Sequence, residues 1–152
     1  MASLMENLID VLDRESTEYE ALLQLSQRKT PIIAGGDLAE LQKITDEEQE
    51  LVSRIHNLDK QRAGGTADVA DVLNRDVNDL KLPNLITMLS ARPAEQQALA
   101  DSHDRLQAAV RGLKRVNEQN SELSSCDIAF AIFGIFVPHW STVFRIYTCP
   151  FL

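Results

Sequence analysis

The chain has 152 residues and a formal net charge of −8 at pH 7, a length that suits one domain with a modest core. Its surplus of acidic side chains argues against nucleic acid as a partner, because contacts with phosphates need a basic face. Apolar residues make up 44% of the chain, which has only five prolines and six glycines. This composition excludes a disordered or fibrous protein.

The N-terminal residues and the cysteines indicate a cytoplasmic protein. No basic residue precedes Arg14, and acidic residues stand where a secretory signal would have its apolar core. The two cysteines, Cys126 and Cys149, do not make the disulfide framework of a small secreted domain. We therefore expect a cytoplasmic location and no contact with a membrane.

The two ends of the chain differ in composition. Seven of the eight aromatic residues follow position 129, and of the 38 charged residues only Asp127 and Arg145 follow position 125. Residues 1–125 hold 22 acidic residues and 14 lysines or arginines, so they carry the whole net charge of −8. We expect a helical domain over residues 1–123 and a separate apolar, aromatic-rich tail over residues 124–152.

Residues 3–30 have the apolar spacing of an amphipathic helix. Pro31 lacks an amide hydrogen and predicts a kink or an end of this helix nearby. Gly35 and Gly36 then supply the flexible backbone of a reversal. The predicted buried stripe consists of Leu4, Leu8, Val11, Leu12, Glu15, Tyr19, Leu22, Leu23 and Ser26.

A second helix is predicted from Asp37 to about Arg62, where Asp37 and Glu40 have the spacing of a capping box. Its stripe advances by three or four residues, close to the 3.5-residue repeat of a coiled coil. Because a short Gly-Gly-Asp turn joins the two helices, we expect an antiparallel, coiled-coil-like hairpin. The second stripe is Leu38, Leu41, Ile44, Glu48, Leu51, Ile55 and Leu58.

A short third helix is predicted after the hairpin. Gly64 and Gly65 are expected to end the second helix, and Thr66 or Asp68 can cap the next one. Its apolar residues are Val69, Val72, Leu73, Val77 and Leu80.

Pro83 and Pro93 each suit the first turn of a helix and bracket a short helical piece over residues 85–90. A long C-terminal helix is predicted over residues 94–123. No alternation typical of a strand occurs in residues 1–125, so the predicted fold is all-α. The face of the last helix carries Leu99, His103, Leu106, Val110, Leu113, Val116, Asn117 and Asn120.

The sequence lacks the residue patterns of an enzyme, a cofactor site or a small-molecule site. No His-Glu-x-x-His, Cys-x-x-Cys or phosphate-binding glycine loop occurs, and no histidine has a glutamate three residues before it. His103 and Asp104 are neighbours, but adjacent residues point about 100° apart on a helix and do not form an aligned dyad. We expect His103 to be satisfied or facing solvent, and His56 to lie at the surface or the seam edge.

Asn117 and Asn120 permit two interpretations. Two amides three residues apart share one face of a helix, here continuing the stripe of Leu106 and Leu113. They are either a polar seam that fixes the register of packed helices, as buried asparagine does in coiled coils, or a hydrogen-bonding edge in a groove that binds a partner.

Several short motifs occur in a characteristic order over residues 4–123. They are Leu8-x-x-x-Leu12-x-x-Glu15-x-x-x-Tyr19-x-x-Leu22-Leu23, Lys29, Ile33, the turn Gly36-Asp37, Leu41-x-x-Ile44-Thr45-x-x-Glu48, Leu51, Arg62 and the late Leu113-x-x-Val116-Asn117-x-x-Asn120-x-x-Leu123. In this order they resemble the flagellar export chaperone family FlgN.

The resemblance implies a cytoplasmic chaperone of flagellar type III secretion. It would bind C-terminal helices of hook–filament junction proteins, prevent their premature assembly and help present them to the export machinery. Helix-in-groove capture is the physical mode that this implies. The family places cargo binding mainly on the C-terminal helix, which here predicts a partner-binding face of Leu106, Val110, Leu113, Val116, Asn117, Asn120 and Leu123.

The tail departs from the family, which would continue as a charged amphipathic helix. Residues 128–137 are ten apolar positions in succession, about half of what a membrane-spanning helix needs. Three interpretations stay open: a translated frameshift or altered 3′ end, a segment that packs on the helices, and an anchor at a membrane surface.

Two other functions compete with the chaperone. A structural coiled-coil module would use the same stripes for self-association, and a membrane-tethered adaptor would use residues 128–137.

Overall fold

The computed structural model describes residues 2–125, which contain four α-helices, two short 3-10 helices and no strand. The helices are α1 (Ala2–Gly35), α2 (Leu38–Leu73), α3 (Leu82–Met88) and α4 (Pro93–Ser125), and the 3-10 helices are Val77–Asp79 and Leu89–Ala91. The prediction of an all-α fold, with a long hairpin, a short middle helix and a long C-terminal helix, is confirmed.

The turn of the hairpin is as short as the sequence predicts. α1 continues four residues past Pro31 and ends at Gly35, and Gly36 adopts a φ of +67°, which glycine reaches without steric cost. The carboxylate of Asp37 accepts a hydrogen bond from the amide of Glu40 at 3.1 Å. Asp37 therefore caps α2, as its spacing to Glu40 predicts.

The prediction that Gly64 and Gly65 end the second helix is wrong, because α2 continues through both to Leu73. Thr66 does not cap a new helix but donates its hydroxyl hydrogen to the carbonyl of Arg62 at 2.9 Å. Each glycine costs a helix about 1 kcal/mol relative to alanine. The burial of Val69 and Ala70 beyond them offsets this cost, since packing outweighs propensity.

α2 ends in a hydrogen-bonded C-terminal cap. Asn74 has a φ of +50° and donates its amide to the carbonyl of Asp71, while the amide of Arg75 bonds the carbonyl of Ala70 at 3.0 Å. This pair of bonds is a Schellman motif with asparagine in the left-handed position. Asn74, and not the glycine pair, is thus the stop signal of α2.

Both prolines after α2 lie in the first turn of a helix, as predicted. Pro83 occupies an early position of α3, and Pro93 is the first residue of α4. A side-chain amide of Gln96 donates to the carbonyl of Ile86 at 2.9 Å, which ties the start of α4 to α3. The short helical piece begins three residues earlier than predicted, at Leu82.

Residues 2–18 and Arg54–Ala108 form one compact unit, called here the first unit. In it, the hydroxyl of Ser102 donates to Asp13 at 2.7 Å, and Arg105 donates to the hydroxyl of Thr17 at 3.2 Å. Because both positions advance together, α1 and α4 run parallel in this unit. Its buried apolar residues are Met5, Leu8, Leu12, Ile55, Leu58, Val69, Ala70, Leu80, Leu82, Leu85, Leu89, Leu99 and Leu106.

Tyr19–Ser53 and residues 109–125 belong to the other compact unit, called here the second unit. Lys29 of α1 pairs with Glu48 of α2, and Arg28 with Glu47. Ile33 and Leu41 form a small cluster with Ile32 beside the hairpin turn. The buried apolar residues are Tyr19, Leu22, Leu25, Ile33, Leu41, Ile44, Leu51, Val52, Ala109, Leu113 and Val116.

Two residues of the predicted stripes are exposed. Leu38 is 51% exposed because it begins α2 just after the turn, where α1 has already ended. Val72 is 55% exposed. On the continuous α2 it lies about 60° from Val69, on the side away from Thr66 and Ala70. The stripe prediction is wrong at these two positions.

Within the described residues, no helix is both long enough and apolar enough to cross a membrane. The tail predicted over residues 124–152 lies almost entirely outside residues 2–125, and no observation on the described residues tests its predicted boundary after residue 123. The interpretations of the tail therefore stay predictions.

Candidate partner-binding surface

The face of α4 that the sequence predicts to bind a partner is mostly buried within the protein. In the first unit Leu106 is fully buried, and in the second unit Leu113, Val116, Asn117 and Asn120 are buried as well. Val110 is half-buried. Leu123, at 37% exposure, is the one member of the predicted set that is classed as exposed.

Asn120 lies against α1 and bonds it through both ends of its amide. Its oxygen accepts the hydroxyl hydrogen of Thr30 at 2.6 Å, and its nitrogen donates to the carbonyl of Ser26 at 2.9 Å. A buried amide must find such partners, since leaving one unmade costs about 1–3 kcal/mol. Asn120 therefore occupies a polar seam between α4 and α1 in the second unit.

Gly112 marks a close approach between the same two helices. A Cβ atom added there would lie 3.1 Å from a methyl carbon of Leu23, tighter than ordinary van der Waals contact. A glycine inside an amphipathic helix often indicates such an approach, and this signal was available in the sequence. Neither Gly112 nor Thr30, the partner of Asn120, belongs to the predicted motifs.

Beyond Val116, the described part of α4 buries only amides. Asn117 and Asn120 are buried, whereas Leu123 and the charged residues between them are exposed. A stretch that buries little apolar surface gains little hydrophobic stabilisation, at about 25 cal/mol per Å². The end of α4 is therefore held mainly by polar contacts, which water or a partner can replace.

The α1–α2 hairpin contains a buried ion pair in the second unit. The Nζ atom of Lys29 lies 2.7 Å from a carboxylate oxygen of Glu48, and both side chains are almost inaccessible to solvent. Burial lowers the pKa of Lys29, and the neighbouring carboxylate of Glu48 acts against this shift. Such a pair fixes the pairing of two helices, because removing one partner leaves a buried charge.

A second buried pair lies in the first unit. Arg62 approaches the carboxylate of Glu15 at 3.1 Å and also contacts Asp59. Burial raises the pKa of Glu15 to about 7, although the guanidinium of Arg62 acts in the opposite direction. The stripes predicted from the sequence contain Glu15 and Glu48 but not their partners, Arg62 and Lys29. The 14-residue spacings of Glu15 from Lys29 and of Glu48 from Arg62, two heptads each, were the available signal.

His103 differs from its expectation. It is buried, its Nδ1 lies 3.5 Å from a carboxylate oxygen of Asp104, and its Nε2 has no hydrogen-bond partner among the described residues. The prediction of a satisfied or solvent-facing histidine is wrong, because His103 lies four residues after Leu99 and three before Leu106, on the buried face of α4. His56 is exposed, as expected. In residues 2–125, no cluster of histidine, cysteine and acidic side chains could hold a metal ion.

A comparison with protein families finds one match. The family model described as FlgN protein matches residues 1–130, so it covers all four α-helices and leaves residues 131–152 outside. Neither a search of curated proteins nor a search of solved structures finds a significant match.

Proposed function

This chain belongs to the FlgN family of flagellar export chaperones, and we propose that it uses α4 to hold C-terminal helices of hook–filament junction proteins before their export. The family is one of chaperones and not of enzymes, and its members act on protein partners. The identity of the cargo, the use of α4 and the cytoplasmic location of this step are parts of the proposal.

The family match over residues 1–130 is the observation that carries the proposal. An unassembled junction subunit has an apolar helical face without a neighbour, and an amphipathic helix can cover that face reversibly. A face that mixes Leu113 and Val116 with Asn117 and Asn120 suits this task. Its apolar residues supply affinity, and its amides allow release because they can bond water.

The burial of the α4 face sets a condition on this mechanism. Leu106, Leu113 and Asn120 cannot touch a partner while they pack inside their units. A cargo helix must therefore take over contacts that α4 now makes with α1, or bind first at the exposed Leu123. The apparent association constant is then the association constant of the open α4 multiplied by the fraction of chains that are open.

The exposed Leu123 gives a test that leaves the core intact. We expect Leu123→Ala to weaken binding of synthetic junction-protein C-terminal peptides about three- to tenfold, because a partly buried leucine contributes about 1 kcal/mol. Isothermal titration calorimetry measures the change.

Leu38→Ala is the matched control, since Leu38 is also exposed but lies outside the predicted face. Equal affinities for wild type, Leu123→Ala and Leu38→Ala would remove Leu123 from the binding surface. A chain that binds no peptide but self-associates in sedimentation experiments would favour a structural coiled-coil module over the chaperone role.

A further inference from the structure

We propose that Thr30 and Asn120 form a latch that holds residues 109–123 of α4 on α1, and that a bound partner helix and the closed latch exclude each other. The inference rests on the proposed function, because the partner is the cargo helix of that proposal. It concerns contacts of the second unit alone.

The latch is a polar contact near the end of the described part of α4. Thr30 donates to the amide oxygen of Asn120 at 2.6 Å, and the amide nitrogen of Asn120 reaches the carbonyl of Ser26 at 2.9 Å. Val116 is the last apolar residue of the described α4 to be buried, and Leu123 is exposed. Among residues 117–123, the buried side chains are the amides of Asn117 and Asn120.

The rest of the second unit has its own stabilising contacts. The buried ion pair of Lys29 with Glu48 and the buried Ile44 and Leu51 join α1 to α2 without α4. Opening of residues 109–123 therefore leaves the hairpin joined. Local opening of this kind can release one helix segment while the rest of a unit stays folded.

The closed latch and a bound cargo compete for the same atoms. In the closed form Leu113 and Val116 are buried and Asn120 bonds α1, and the proposed function assigns the same side chains to the cargo. A ligand that binds only the open form has an apparent dissociation constant equal to the intrinsic one divided by the open fraction. Weakening the latch from the α1 side must then tighten cargo binding.

The substitution Thr30→Val tests the competition between latch and cargo without changing any residue of the proposed cargo face. Loss of one hydrogen bond to a buried amide should raise the open fraction roughly fivefold. We expect amides of residues 109–123 to exchange hydrogen about fivefold faster, and junction-protein peptides to bind more tightly by a similar factor. Amides of residues 41–52 should exchange as in wild type, which separates local opening from unfolding.

Thr17→Val is the matched control. Thr17 is on the same helix, is exposed, and accepts a hydrogen bond from Arg105 of α4 in the first unit. It should change neither the exchange of residues 109–123 nor the peptide affinity by more than about twofold, because it leaves the bond of Thr30 intact.

Three results would overturn the proposal. Unchanged exchange of residues 109–123 in Thr30→Val means that no latch exists, and faster exchange with equal or weaker peptide binding means that cargo does not compete with it. If exchange is faster in Thr30→Val but neither the wild type nor the variant binds peptide, the proposed function is contradicted. The latch is then a structural contact only. The two failures are thus distinguishable.

Discussion

Glu15 shows how one buried side chain couples stability to pH. Its carboxyl is inaccessible to solvent beside Arg62, and burial raises its pKa from 4.5 to about 7. Desolvation thus outweighs the attraction of the guanidinium, as continuum arguments for buried ion pairs expect. Between pH 4.5 and 7 the folded chain holds a proton that the unfolded chain has lost.

The sign of the pH dependence follows from proton linkage. Because the folded state binds more protons in this window, the contribution of Glu15 to the free energy of unfolding is largest below pH 4.5 and falls as pH rises to about 7. We expect a fall of the order of 1–3 kcal/mol in wild type relative to Glu15→Gln, measured by urea denaturation at several pH values.

Glu18→Gln controls for the loss of a carboxylate on the same helix, since Glu18 is more exposed and pairs with Arg54. Parallel pH profiles for wild type and Glu15→Gln would contradict the prediction. A difference seen only with Glu15→Gln would assign the effect to this buried carboxyl.

At the scale of the helices, charge order in the buried stripes selects the antiparallel hairpin. Glu15 precedes Lys29 on α1 by the same 14 positions as Glu48 precedes Arg62 on α2. An antiparallel pairing joins opposite charges. A parallel pairing offset by 33 positions, the interval from 15 to 48 and from 29 to 62, would place like charges together, which costs free energy in a buried seam.

The continuity of α2 through two glycines gives a prediction for the same element. Gly64 is exposed and has open space around the position of an added Cβ. Gly64→Ala should therefore raise the free energy of unfolding by about 1 kcal/mol and the melting temperature by about 3 °C. Thermal unfolding followed by circular dichroism measures both.

Gly36→Ala is the opposite case within the same chain. Gly36 also has open space around it, but its φ of +67° disfavours any side chain by about 1–2 kcal/mol. A lower melting temperature is expected for this variant. If Gly64→Ala also lowered it, α2 would not be a continuous helix at residue 64.

At the scale of the whole molecule, the acidic, periodic part and the apolar tail are predicted to behave differently. Residues 128–137 are ten successive apolar positions, and such a stretch is an aggregation liability wherever it is exposed. Exchanging residues 125–152 for a charged amphipathic helix should raise solubility and cargo affinity, measured by light scattering and calorimetry. Equal or better solubility and binding of the native chain would refute this prediction.

The sequence by itself determined the three long helices, the cap of α2 at Asp37, the start of α4 at Pro93, the hairpin and most of the buried stripe, because apolar spacing and capping are local properties. The end of α2 required the tertiary structure. Burial of Val69 and Ala70 carries the helix past Gly64 and Gly65, and no local propensity contains that packing energy.

The tertiary structure also decided what the amides and charges of the stripes touch. Spacing placed Asn120 and Glu15 on inner faces, but only the approach of α4 to α1 brings Asn120 to Thr30, and only the pairing of α1 with α2 brings Glu15 to Arg62. These partners are 90 and 47 positions apart along the chain. Contacts over such separations depend on how the helices pack and not on the pattern of either helix alone.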